Sequence, residues 1–417
     1  MVSPSATNAA IAEALGFQLT HQKDTVDSLT ERSLASMPSI SPVTRLKAIK
    51  SKAEMEGFRA CHIRDGAALV EFFAWLERSL LNKDSHTEGN DPEGQSNTSA
   101  ATLTEYSVCT KLREFRSKKS HFLGTSFDTI SSINSNGAVM HYKPSAQTAL
   151  TFAEEALGKE SNGNAIGGVM YLCDSGGQYV DGTTDVTRTL YLQVNTKQAA
   201  DDNNTKTNDK LTVSTNAHSS THAIASSGAS QWQKTCYTAV LAGHVNLAMT
   251  SFPKGTTGYQ LDVLARAPLW SLHRDYRHGT GHGVGHCLNV HEGPQSISPR
   301  LPSNEVALVP GMTVTNEPGY YEDGSFGIRI ENVMMVVDAR DGQSRNENKS
   351  ASTGGEYFGF ETVTMVPYAR ALIRKDQLSA EQVAWIDRYH QMVRERLLPE
   401  LSSSEAIEWL LRETEPL

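Results

Sequence analysis

The sequence is poor in cysteine, has no excess of positive charge and lacks any long apolar run. Each scarcity closes a class of protein. Cys61, Cys109, Cys173, Cys236 and Cys287 are scattered along 417 residues, with no Cys-x-x-Cys pair. An odd and sparse set does not make a disulfide framework, so reduced thiols and a cytoplasmic home are expected. Lys and Arg total 38 against 47 acidic residues, a net charge of −9. That balance leaves no basic footprint for nucleic acid or an anionic membrane. No apolar stretch approaches the roughly 20 residues that a membrane span needs. The first twenty residues contain no Lys or Arg and no continuous apolar core, which argues against a secretory signal.

What is there reads as a soluble globular chain, with 38% hydrophobic and 20% charged residues. Residues 1–42, rich in Ser, Thr and Ala, read as a leader or the remnant of a missing N-terminal domain. One domain then covers 43–417, interrupted by polar segments near 82–101, 195–230 and 339–356. The segment 195–230 has too little apolar surface to offset the entropy of ordering, so a disordered insertion is expected there. Helical spacing of Met55, Phe58, Ile63, Val70, Phe73 and Leu76 predicts a helix from about Lys47 to Leu81. Thr104 is placed to cap a helix running to about Lys118. The stretch from Phe127 to Pro144 looks irregular. Strands are predicted at Gly168–Cys173, Val186–Leu192, Gly311–Glu317 and Ile328–Met334, with turns at Asp181-Gly182 and Asp323-Gly324. Two further helices are expected from about Trp232 to Met249 and from Tyr259 to Trp270. The tail is helical from Ser379, with a break near Pro399.

The stretch from His278 to Gly285 sets two histidines four residues apart among four glycines, and His291 follows His282 by nine. Glycines this dense either let the backbone pass close to something or supply positive φ. Histidines in such a stretch are candidate ligands or proton carriers. A lone loop histidine would mean little, and so would an Asp beside glycines. The carboxylates change the balance. Asp174 and Asp185 end two predicted strands eleven residues apart, an odd offset that only a turn between adjacent strands could aim at one point. Glu317 and Glu331 flank a second predicted hairpin in the same way. With His282 they make five candidate ligands. Four carboxylates would repel one another strongly unless cations sat between them, and two divalent ions balance their charge. Oxygen-rich ligation with one imidazole suits Mn²⁺ best, with Co²⁺, Zn²⁺ or Fe²⁺ as alternatives.

Five segments carry a family resemblance. They are Asp174 to Tyr179, Gly182 to Thr189, His278 to Gly285, Glu317 to Tyr321 and Arg329 to Asn332. In this order they resemble X-Pro aminopeptidase (aminopeptidase P) of the cytosolic eukaryotic type, from about residue 43 to the C-terminus. The resemblance implies an α/β pita-bread fold of pseudo-twofold halves, a dinuclear metal site and a possible homodimer. Asp174 would then bind one metal, His282 and Glu317 the other, with Asp185 and Glu331 bridging. His141, His278 and His291 match the substrate-site histidines. The resemblance also implies N-terminal domains ahead of the catalytic one, where only about 42 residues stand here.

The expected reaction releases the N-terminal residue from peptides with proline second. Paired cations lower the pKa of a shared water, and the hydroxide attacks the carbonyl before proline. His291 would help hold the oxyanion, and Glu317 or a histidine would move the proton. Two rivals share the architecture: an X-Pro dipeptidase, and a non-catalytic binding module. The module reading expects lost ligands, and all five are present.

Overall fold

A computed structural model of the chain describes residues 40–81, 102–157, 166–195, 228–300, 306–339 and 356–417. The segment 82–101, nearly all of the leader and most of the other two polar segments lie outside the described residues. Helices α1 (Pro42–Ala48) and α2 (Lys52–Leu80) replace the single helix predicted from Lys47. Ser51 and Glu54 form a capping box that starts α2 afresh. The residue before that cap, Lys50, is drawn away by a backbone bond from its N–H to the Gly311 carbonyl.

Helix α3 (Glu105–Ser117) is capped by Thr104, as the sequence suggests. Strands β1 (Phe122–Thr125) and β2 (Ile130–Ile133) follow, then α4 (Phe152–Leu157). The stretch expected to be irregular therefore contains a strand. Its sequence, Ile-Ser-Ser-Ile, is buried at all four positions, so it shows no alternation to read. Strands β3 (Ile166–Ser175), β4 (Gly177–Tyr179), β5 (Gly182–Thr183) and β6 (Val186–Asn195) complete the first half. β3 lies between β2 and β6 in one antiparallel sheet.

The second half repeats the order of two helices followed by a carboxylate-bearing hairpin. It runs through α5 (Gln231–Ala248), β7 (Phe252–Pro253) and α6 (Gly258–Trp270). Short strands β8 (Gly281–His282) and β9 (Ser296–Ile297) pair next. β10 (Thr313–Asn316), β11 (Gly319–Glu322), β12 (Phe326–Arg329) and β13 (Asn332–Asp338) follow. The single strand predicted over 328–334 is therefore two strands. β12 pairs with β11 and β13 pairs with β10, and the chain changes partner at Ile330-Glu331. There the backbone N–H groups go to Pro318 and Thr187 instead of a ladder neighbour.

β14 (Tyr357–Thr362), α7 (Ala380–Leu397) and α8 (Ser404–Glu413) close the chain. The main core packs α2, α3, α5 and α7 against β3 and β6, with Phe58, Val284, Val333, Met335 and Val363 forming a small separate cluster. Among the described residues no helix is long and apolar enough to cross a membrane.

Candidate metal centre

The two hairpins meet at their carboxylate ends. β3 and β6 pair so that Asp174 faces Thr187. Asp185 precedes Thr187 by two residues, so the antiparallel register puts Asp174 and Asp185 on one face despite their odd spacing. Asn316 faces Asn332, which sets Glu317 and Glu331 one step past the end of that ladder. All four carboxylates line one cavity of about 460 Å³, together with His141, His278, His282 and His291.

Ligand atoms of Asp185, His282 and Glu331 all lie within 4.8 Å of one another. His282 Nε2 is 3.5 Å from Asp185 Oδ2 and 3.5 Å from Glu317 Oε1. Its other nitrogen, Nδ1, is 3.0 Å from the Gly283 carbonyl. A carbonyl only accepts, so in the neutral ring Nδ1 carries the hydrogen and Nε2 offers a bare lone pair to the carboxylates. That is the arrangement of a metal-binding imidazole with its second nitrogen fixed by a backbone carbonyl.

The glycines of the stretch serve close approach. A Cβ on Gly281 would lie 1.9 Å from the Thr315 carbonyl, and one on Gly283 would lie 2.0 Å from the Glu292 carbonyl. None of Gly279, Gly281, Gly283 and Gly285 has positive φ. The backbone can therefore thread between β10 and the loop that carries His291, which brings the His282 N–H to Thr315 Oγ1 at 3.0 Å. The same hydroxyl donates to Glu317 Oε1 at 3.2 Å.

The carboxylates crowd one another. Burial, then Glu331 and Asp174, hold the Asp185 carboxyl well above the usual carboxylate range. Burial, then Glu317 and Asp174, push Glu331 up to about 8. Burial and Asp174 push Glu317 up to about 7, against the pull of Arg329. Crowded acids of this kind favour a cation among them. Asp174 Oδ1 is buried with no hydrogen-bond partner, while Oδ2 accepts from Arg329 Nη2 at 2.5 Å. An unpartnered buried carboxylate oxygen beside an acidic cavity is a donor that a cation would satisfy. The donor set thus fits two divalent cations.

Arg329 and Tyr321 stand inside the motifs but are given no role by the sequence. Arg329 also donates to Tyr321 Oη and to Thr187 Oγ1, and Thr187 donates to Glu331 Oε2 at 2.7 Å. The signal was an Arg two residues before a ligand Glu, but its destination is Asp174 in the other half. Tyr321 Oη lies 2.9 Å from His278 Nε2, and His278 Nδ1 faces the Gly279 carbonyl. Burial first, and then Arg329, lower the His278 pKa to about 4, so the ring is neutral at pH 7. The His291 ring stands edge-on to His282 with centroids 4.1 Å apart, and burial and His282 lower its pKa. His141 and His291 are exposed and form the rim, with Phe127, Ile130, Met140 and Val290 as apolar wall.

A clustered set of acids and one imidazole, mounted on paired hairpins, is a donor set suited to divalent cations. The comparison with known proteins specifies it: residues 56–338 match the model of metallopeptidase family M24, and 356–417 match the C-terminal region of that family. The chain belongs to metallopeptidase family M24 and has its α/β pita-bread fold. It is 40% identical over 384 residues to Xaa-Pro aminopeptidase 1 of Dictyostelium discoideum, covering 91% of this chain and 50% of that one. It is 40% identical over 380 residues to Aminopeptidase P1 of Arabidopsis thaliana, covering 90% and 50%. Among solved structures it resembles the cytosolic X-prolyl aminopeptidase of Caenorhabditis elegans, described as having a di-nuclear active site. The TM-score is 0.67 at 32% identity, covering 90% of this chain and 50% of that one. The chain thus spans about half the length of the curated relatives it matches.

Proposed function

We propose that this chain is a metalloaminopeptidase that releases the N-terminal residue from peptides with proline second. The observation that carries the reading is the convergence of Asp185, His282 and Glu331 within 4.8 Å, in a cavity rimmed by imidazoles. Asp174 would hold one divalent cation. His282 and Glu317 would hold the other, and Asp185 and Glu331 would lie between. When bound, the cations supply Lewis acidity and an acidified water. Mn²⁺ suits the oxygen-rich donors best.

The remaining work falls to the chain. An X-Pro bond has no N–H, so a site for it must accept a ring in place of a donor. His141, His278 and the apolar wall offer faces for that ring. A neutral His291 can donate toward the carbonyl oxygen. A Glu317 carboxyl oxygen can carry a proton to the departing proline nitrogen. The substrate's free amino group would be held by the acidic cluster, which restricts cleavage to chain ends. A cytoplasmic location and a homodimer belong to the same reading. Light scattering on the purified chain checks the homodimer.

The test compares kcat/KM on X-Pro-Y, X-Ala-Y and X-Pro with matched X, after loading with Mn²⁺. X-Pro-Y is expected to lead X-Ala-Y by at least about 100-fold. Equal rates on X-Ala-Y would remove the proline reading. Preference for the dipeptide would make the chain a dipeptidase. Binding of two cations with no cleavage of any substrate would make it a binding module.

A further inference from the structure

Away from the metal cluster, one buried carboxylate collects more donors than its own helix provides. Glu105 is fully buried in the first turn of α3. An acid there is ordinarily explained by the helix dipole. This one turns away from its helix. It accepts from the Ile133 N–H at 2.7 Å, the Leu150 N–H at 2.8 Å, the Tyr142 hydroxyl at 2.7 Å and Asn136 Nδ2 at 3.0 Å. The Glu105 N–H in turn donates to the Leu150 carbonyl at 3.0 Å.

These donors lie on both sides of His141. The chain between β2 and α4 has no strand of its own. It holds one 3-10 turn at Asn134–Ala138 and short local bonds such as Tyr142 N–H to the Val139 carbonyl. Glu105 supplies the acceptor that such a segment lacks, and an unmatched buried N–H would cost about 1–3 kcal/mol. One of its donors, Tyr142, is the immediate neighbour of His141, which stands exposed at the mouth of the cavity.

We propose that Glu105 is a positioning residue that fixes His141 over the cavity and so sets how the substrate's second residue fits. The effect on substrate rests on the aminopeptidase reading, whereas the effect on His141 does not. A hub of four donors from 133 to 150 fixes the segment at both ends and at the residue next to the histidine. Losing it frees the rim and leaves the cations' ligands, all on other elements, in place.

The test uses the whole chain, the variants Glu105→Gln and Tyr142→Phe, and two independent readouts. The first is the ring resonance of His141 in isotope-labelled, metal-free protein, assigned by its loss in His141→Gln. Glu105→Gln is expected to shift or broaden that resonance while those of the buried His244 and His390 stay. The second is kinetics with Mn²⁺. KM for X-Pro-Y should rise about tenfold, with kcat within about threefold and metal content unchanged. Tyr142→Phe, which removes one hydroxyl, should move both in the same direction by less. If Glu105→Gln does not fold, Tyr142→Phe decides. An unmoved His141 resonance in the folded variants, with or without lowered stability, overturns the proposal. Should the chain cleave no X-Pro peptide, the resonance still decides Glu105 by itself.

Discussion

The two halves of the molecule hold their carboxylates differently. In the first, Asp174 sits inside the β3–β6 ladder, and its backbone is fixed by the strand opposite. In the second, Glu317 and Glu331 lie just beyond the β10–β13 ladder. Their backbone N–H groups are held from elsewhere: Glu317 by the Thr280 carbonyl at 2.7 Å and Glu331 by the Thr187 carbonyl at 3.0 Å. Thr187 belongs to the first half, and Thr280 to the glycine stretch. Asp185 also lies one residue outside its ladder, but the second hairpin takes a backbone bond from the first at Glu331. Side chains cross in exchange, with Arg329 reaching Asp174 and Thr187 reaching Glu331. A site built this way forms only when both halves are folded and joined.

The largest effect should come from removing Asp185, the carboxylate proposed to serve both cations. Asp185→Ala is expected to lower bound metal to well under one equivalent and X-Pro-Y turnover by about 10³-fold or more. Asp174→Asn, in the same hairpin but on one cation, should keep about one equivalent of metal at high Mn²⁺. Elemental analysis after loading separates the two. Equal metal content in both variants would erase the distinction between a shared and an unshared ligand.

The cross-connections between halves should be unequal. Arg329 is buried, and its guanidinium pairs with Asp174 while donating to Tyr321 and Thr187. Arg329→Met leaves a buried carboxylate unpaired, at a cost of about 3–5 kcal/mol in the metal-free protein. Thr187→Val removes the hydroxyl's bond to Glu331 and the acceptor of Arg329 Nε, together worth about 1–3 kcal/mol. Urea melts of both variants, metal-free, give the order. If Thr187→Val proves the more damaging, the docking is carried by Glu331 and the Arg329 contact is incidental.

How much of this was legible follows from how far each interaction reaches along the chain. The helix starts near Trp232 and at Ser379 are readable because their signals are local: Ser230 with Gln233 and Ser379 with Gln382 form capping boxes. The restart at Ser51 is missed although Ser51 and Glu54 form one too, because the helical spacing runs on through it. The candidate ligands were readable because the glycines and strand ends around them are also local. The partner change at Ile330-Glu331 was not, because it depends on Thr187, far away in the other half. The same holds for the Arg329 to Asp174 contact, across 155 residues. Glu105 reads as an ordinary helix-start acid. Its role lies in donors that the fold alone brings to it.

Acid should distinguish the halves by the smallest and most specific effect. The first hairpin is backed by the buried pair of Asp65 and Arg116, with Arg116 also on Ser175. The second is backed by histidines. His244 Nε2 meets Tyr368 Oη and Asn332, the residue after Glu331, and His390 Nε2 accepts from the Tyr368 N–H. Burial first, and Arg188 next, lower both imidazoles to about 3. Their unfolded value is about 6.5. Between those values the unfolded chain binds protons that the folded one refuses, so stability falls as pH drops through this window. Near pH 5.5 each histidine should cost about 1 kcal/mol relative to pH 7.5. The crowded metal-site acids titrate with the opposite sign in the metal-free protein, so wild type alone is ambiguous. The difference between wild type and His244→Gln cancels them. Urea melts at both pH values should show the variant losing less stability on acidification, by about 1 kcal/mol. An identical loss in both would mean that His244 takes up its proton as readily in the fold as in the unfolded chain, and that it gives the second half no acid weakness.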